Sequence, residues 1–345
     1  MQKLNLPIPE AGALTKVAAD LYWARFSLPF RLNHINLYMI DTEAGWLLVD
    51  AGINQDETAA QWQMLLDGPL SYQAVAGLLI THHHVDHLGY AGALSAKLDI
   101  PVYTSASEAD FAQWMFTMAD DDFADLVADT YVNYGLDEAH VAQARADKGR
   151  FRRHVKTLPD FTIIEEGHLF PSRHGTWQVR IDRGHSQGQI SLVDEARGLL
   201  IAVDFLLPRI SPNISVDLRD FDDDMLGHYL TYCEAMTSLP AQTQIFPGHD
   251  WPFTDGGTRA AQLIDHHHQR LESLLEAAKH QPLTVADGMR HLFGKSFGAH
   301  ELYFASGEAR AHLWHLVQQG TMRCEVINGT SYFSPNADVK RTISA

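Results

Sequence analysis

Short apolar runs, each closed by an aspartate, a histidine or a glycine, recur along the chain between Leu37 and His249. Leu37-Tyr38-Met39-Ile40 and Trp46-Leu47-Leu48-Val49 flank Asp41-Thr42-Glu43-Ala44-Gly45, the pattern of a hairpin between two buried strands. Helical spacing follows from about Glu57 to Leu66, then a strand from Val75 to Ile80, a helix over Tyr90 to Lys97 and a short strand at Ile100-Pro101-Val102-Tyr103. Strand, strand, helix, strand, helix, strand is the order of one half of an αβ/βα sandwich, where helices cover a sheet's outer face. A second half begins near Phe161. There Trp177 to Ile181 alternates like a half-buried strand, Ile190 to Asp194 and Leu199 to Val203 form a hairpin around Glu195-Ala196-Arg197-Gly198, and Gln244-Ile245-Phe246-Pro247 brings in a last strand. Met1 to Phe30, with Pro7, Pro9 and Pro29, reads as loop with a short strand.

Two stretches fall outside this alternation. A helical insertion at about 105–160 carries Phe111, Trp114, Met115 and Met118, then Phe123, Leu126, Val127, Tyr131 and Tyr134; these are read as packing for added helices, with a few lining a pocket. Asp120-Asp121-Asp122 within it reads as a solvated turn or helix start, and Lys148, Arg150, Arg152, Arg153, His154 and Lys156 as a solvent-facing patch, with an anion clamp as the sharper alternative. Beyond Thr258, Leu263 to Ala278, Val285 to Phe293 and Glu308 to Gln319 look helical. Met322 to Ile327 then turns at Asn328-Gly329 into Thr330 to Phe333, a strong hairpin cue. The expected division is therefore 1–258 and 259–345.

Composition narrows the function classes. A chain of 345 residues with 46% hydrophobic and 20% charged residues is ordinary for a soluble globular protein. The net charge of −17 disfavours attraction to phosphate backbones and anionic membranes. Cys233 and Cys324 form no metal or disulfide framework and read as apolar fillers. No signal-peptide pattern precedes Leu37 and no run approaches a membrane span, so the expectation is a cytoplasmic, soluble protein.

The chemistry concentrates in Thr81-His82-His83-His84-Val85-Asp86-His87-Leu88-Gly89, directly after the strand ending at Ile80. Imidazole nitrogens and carboxylate oxygens are the donors that zinc takes in hydrolytic sites. His82 and His84 can point one way from an extended segment, while Asp86 and His87, past the bend, address a second position; His83 reads as a bystander. One histidine here would be a surface or core residue, but the HxHxDH order is specific. It resembles the metal-binding signature of the metallo-β-lactamase-fold hydrolases. That family's other motifs have candidates in order at Asp50, His185, Asp204 and His249, so the resemblance runs from about Asn33 to His249.

The resemblance implies a four-layer αβ/βα fold whose strand-end turns hold two divalent metal ions. His82, His84 and His185 would serve one ion, Asp86, His87 and His249 the other, and Asp204 would bridge both. Asp50 would hold the ligand loop from behind. A water bridging ions about 3.5–4 Å apart loses its proton near neutral pH and attacks a polarised carbonyl or phosphoryl group, with Asp86 as the catalytic proton donor. Zinc is the expected ion, with iron and manganese compatible with the same donors. Within the family, His84 argues against the redox di-iron members and Asp204 against true lactamases, and no motif of the RNA-processing β-CASP members is found. The expected reaction is hydrolysis of a small-molecule thioester, lactone or other ester, resembling the hydroxyacylglutathione-hydrolase-like branch. A phosphodiesterase or ribonuclease of the same superfamily, or a non-catalytic regulatory protein that keeps its metals, are the alternatives. The segment after Thr258 resembles the winged-helix-like extension of some members. Its acidic surroundings point to packing or a homodimer rather than to nucleic acid. His266-His267-His268 is assigned no metal.

Overall fold

The computed structural model describes residues 1–294 and 297–336, and residues 337–345 of the expected C-terminal segment lie outside the described residues. The chain divides into two compact units. The first comprises Met1–Thr117, Phe151–Pro212 and Ala235–Ala260, the second Met118–Arg150, Asn213–Glu234 and Ala261–Ala345.

The first unit holds two seven-stranded mixed sheets. One runs in the order Thr15–Lys16, Leu21–Ser27, His34–Thr42, Gly45–Val49, Val75–Leu79, Val102–Thr104, Phe161–Ile163. The other runs Gln2–Lys3, Phe253–Thr254, Gln244–Pro247, Leu199–Val203, Gln189–Asp194, Thr176–Asp182, Leu169–Pro171. Strand side chains alternate between faces, and the two cores follow from that. Leu47, Val49 and Leu79 meet Trp177, Ile190, Ile201 and Phe246 between the sheets. Trp46, Leu48 and Leu78, one position off, pack instead with Trp62 and Leu65 of the helix Asp56–Asp67 and Leu94 of the helix Ala91–Leu98. This is the αβ/βα sandwich expected from the strand and helix order.

The N-terminal stretch contributes more than a short strand. Leu21–Ser27 is a seven-residue strand, buried at Leu21, Trp23, Ala24 and Phe26, and fully paired with His34–Thr42. Polar Arg25 and the flanking prolines mask its period. The fill comes from Trp23, whose Nε1 donates to Asn36 Oδ1 at 2.9 Å, so an indole is buried without an orphaned donor.

In the second unit, Asp120–Asn133 begins with three aspartates in its first turn, where negative charge complements the helix dipole. It packs with Glu138–Asp147. Lys148 reaches Asp121 at 2.5 Å, in keeping with a solvated surface patch. From Ala261 on, the remainder of the helix Gly256–Ala278, the helices Val285–Phe293 and Ala299–Gln318 and the hairpin Met322–Ile327/Thr330–Pro335 follow, with Asn328 (φ +50°) and Gly329 (φ +85°) in the left-handed turn. The last helix starts at Ala299 rather than Glu308, and Gly307, which interrupts the helical pattern of the sequence, lies inside it as a close-packing point where a Cβ would stand 2.7 Å from Ser215 Oγ. Cys233 is buried and Cys324 half-buried, and neither is in a disulfide. Among the described residues, no helix is long and apolar enough to cross a membrane.

Candidate metal centre

Every candidate ligand leaves a strand end in the first unit. The strand Val75–Leu79 delivers His82, His84, Asp86 and His87; Thr176–Asp182 is followed by His185; Leu199–Val203 by Asp204; Gln244–Pro247 by His249. The structure gathers all seven into two groups, His82, His84, His185 and Asp204 in one and Asp86, His87 and His249 in the other, each with its donor atoms within 4.8 Å of one another. His82 Nε2 lies 3.0 Å from His84 Nδ1. Asp204 Oδ2 is 3.5 Å from His185 Nε2, 3.5 Å from His87 Nε2 and 3.4 Å from His249 Nε2, so this one oxygen borders both groups. Asp86 Oδ2 is 3.4 Å from His249 Nε2 and 3.9 Å from His87 Nε2.

Hydrogen bonds behind the rings set which nitrogen faces inward. Asp50 Oδ2 accepts from His87 Nδ1 at 2.8 Å, leaving Nε2 to the site. The carbonyl oxygen of His34 accepts from His249 Nδ1 at 2.8 Å. Thr81 donates its hydroxyl to Asp50 and so accepts from His82 Nδ1 at 3.0 Å. Ligating histidines are oriented in this way, by a partner on the far ring nitrogen. Burial, then the neighbouring imidazoles, holds His82 and His84 well below the ordinary histidine range, as neutral lone-pair donors. Burial also opposes protonation of His87 and His249, but the carboxylates outweigh it: Asp50 and Asp204 hold His87 well above the usual range, and Asp204 raises His249. Asp204 is likewise held well below the carboxylate range by His249 and His87 against the effect of its burial.

This donor set fits divalent cations. Asp204 is 5% exposed and its Oδ1 has no hydrogen-bond partner, a costly state for a buried carboxylate oxygen that a cation relieves. Neutral imidazoles and carboxylates are the ligands that zinc, iron and manganese share.

The backbone is unusual at the same turns. Asp50 (φ +65°), Val203 (φ +48°) and Asp250 (φ +65°) occupy the left-handed region without being glycine. Val203 also marks a register shift between its strand and Gln244–Pro247. Such conformations concentrate where a fold aims functional side chains.

Sequence reasoning missed three supports of the site. Glu108, in the helix Ala106–Thr117, is 2% exposed. Its Oε2 accepts from the backbone N–H of His83 at 2.8 Å and from His83 Nδ1 at 2.7 Å. Its Oε1 accepts from Ser186 Oγ at 2.6 Å and Gly188 N–H at 2.7 Å. His83, read as a bystander, is thus part of the scaffold, its ring 4.1 Å from that of Phe111. The available signal, Ser105 three residues before Glu108, looks like a helix capping box. His34 accepts from Asp250 N–H at 2.9 Å, burial and Arg25 pushing its pKa down to about 4. Asp250 in turn meets Arg209 at 3.1 Å. The basic cluster expected to face solvent does not do so at Arg152, which is buried because its Nε donates to the Met115 carbonyl at 2.8 Å.

A family model described as the metallo-beta-lactamase superfamily matches residues 31–249, and one described as a metallo-beta-lactamase-like C-terminal domain matches residues 271–335. A Bacillus subtilis protein named "Probable metallo-hydrolase YqjP" is 23% identical over 330 residues, which is 91% of this chain and 97% of that protein. The crystal structure of a beta-lactamase domain protein from Burkholderia ambifaria is 31% identical, covers 96% of both chains and superposes with a TM-score of 0.88. A metallo-beta-lactamase family protein from Thermus thermophilus, 24% identical, shares the fold over 93% of this chain and 100% of its own, with a TM-score of 0.78.

Proposed function

This chain belongs to the metallo-beta-lactamase superfamily, and from that premise we propose that it is a binuclear metal-dependent hydrolase acting on a small-molecule thioester, lactone or other ester. The observation that carries the reading is the position of Asp204 Oδ2, within 3.5 Å of imidazoles from both ligand groups. His82, His84 and His185 would hold one ion and Asp86, His87 and His249 the other, with Asp204 available to both. Two such cations, when bound, polarise the oxygen of the scissile group and bring the pKa of a water towards neutrality. Zinc is the proposed ion.

The chain's own residues supply position and proton movement. Asp50 and the His34 carbonyl fix the inward nitrogens of His87 and His249. Asp86 has the more exposed carboxylate, 17% against 7% for Asp204, which supports its reading as the group that would pass a proton to the leaving atom. Phe111, buried, packs its ring 5.3 Å from that of Trp114 and 4.1 Å from that of His83, and so backs the loop that carries the ligands. The net charge of −17 weighs against a polyanionic substrate.

The test is a substrate panel with metal-loaded protein. Turnover of thioesters or lactones, abolished in Asp86→Ala and Asp204→Ala, is the expected result. Cleavage confined to RNA or phosphodiester reporters would replace the ester reading, and a normal cellular phenotype in both variants would favour a regulatory role.

A further inference from the structure

Glu108 touches neither ligand group, yet it meets the chain on either side of one of them. His83 lies between His82 and His84, and Ser186 follows His185; both donate to the same carboxylate. The first anchor stands on the turn after Val75–Leu79 in one sheet, and the second on the turn between Thr176–Asp182 and Gln189–Asp194 in the other. Every imidazole of the His82/His84/His185 group is therefore one residue from an anchor on Glu108. The other group is oriented from elsewhere, His87 by Asp50 and His249 by the His34 carbonyl.

We propose that Glu108 is the positioning residue of one metal position: it clamps the two turns that carry His82, His84 and His185, and so sets the affinity for that ion alone. The chemistry requires a carboxylate. Each oxygen accepts from two donors, and those on either side include a backbone N–H. A glutamine of the same shape must turn its –NH2 towards one of the turns, setting donor against donor and releasing it. With a fully buried carboxylate between them, both turns are held by charge-assisted hydrogen bonds, about twice as strong as neutral ones.

The inference rests on the reading of His82, His84, His185 and Asp204 as ligands of one ion, and the experiment separates the two. Metal-free wild type is titrated with cobalt(II), followed by absorption and chelator competition; uptake of fewer than two ions overturns the ligand reading itself. Glu108→Gln is then placed in two backgrounds, His249→Ala, which leaves the first position, and His185→Ala, which leaves the second. The expected result is an affinity loss of about 10- to 100-fold in the first background, the size typical of lost outer partners, and none in the second. Ser186→Ala, removing one of the four donors, shifts the same position in the same direction by less, and it carries the test if Glu108→Gln does not fold. Unchanged affinity in the His249→Ala background, or equal losses in both, overturns the proposal, since a merely structural residue would weaken the two positions alike.

Discussion

Asp50 Oδ2 stands 2.8 Å from His87 Nδ1, while Oδ1 of the same carboxylate accepts the backbone N–H of Thr81 at 2.8 Å. One side chain at φ +65° thus orients a candidate ligand and fixes the start of the loop that carries three others. Asparagine tolerates the left-handed backbone but has a single accepting oxygen. Asp50→Asn is expected to fold, to lose about 10- to 100-fold in affinity for the ion at Asp86, His87 and His249 and less for the other, whose His82 it reaches only through Thr81, and to lose turnover in step. Metal titration beside steady-state kinetics checks it.

Gly248 matters for space. A Cβ there would lie 2.2 Å from Asp204 Oδ1 and 3.3 Å from His87 Cε1. Gly248→Ala must displace Asp204, and overpacking of this kind costs about 1–3 kcal/mol. Urea unfolding should show that loss, together with reduced metal content.

Chelation should destabilise the folded protein. Cations that bind only the native state add about 4 kcal/mol at a thousandfold excess over Kd, on the order of 10 °C in melting temperature for a unit of this size. Calorimetry before and after chelation, then with the ion restored, measures it. A melting temperature indifferent to chelator would count against a built metal centre.

The second unit has its own pH response. His312 Nδ1 donates to the Glu308 carbonyl at 2.8 Å, and His267 Nδ1 meets His312 Nε2 at 3.0 Å, both rings wholly buried. Burial, followed for His267 by the His312 ring, pushes their pKa values from 6.5 down to about 2 for His267 and about 3 for His312. As pH falls below 6.5 the unfolded chain takes up these protons and the folded chain does not, so stability drops with pH down to about 3. The slope is about 1.4 kcal/mol per pH unit for each proton. Denaturant midpoints between pH 7 and pH 4 should fall less steeply, by that measure, in a His267→Leu/His312→Leu double variant.

Most strands of the sandwich, and the positions of the seven candidate ligands, leave local marks in the sequence: apolar runs ending in His or Asp, and donor residues at fixed spacing. The outer supports leave none. Glu108 reaches His83 and Ser186 only after three elements have packed, and because Ser105 caps the helix by accepting from the Glu108 N–H at 3.3 Å, Glu108 reads as the other half of a capping box. The Leu21–Ser27 strand was hidden by Arg25, whose charge breaks the alternation although its Nε donates to Asn36 Oδ1 at 3.2 Å within the fold. The helix Ala299–Gln318 shows the same limit, since Gly307 reads as a break in its pattern although it is a contact point for Ser215.

Val203 faces two opposed demands. Its φ of +48° suits glycine, while its side chain, 1% exposed, fills the space between the sheets. Glycine would relax the backbone and hollow the core; a larger or polar residue would do neither job. Position 203 therefore sets backbone ease against core filling, and a saturation library there, ranked by heat tolerance, should place glycine and the charged residues below the parent.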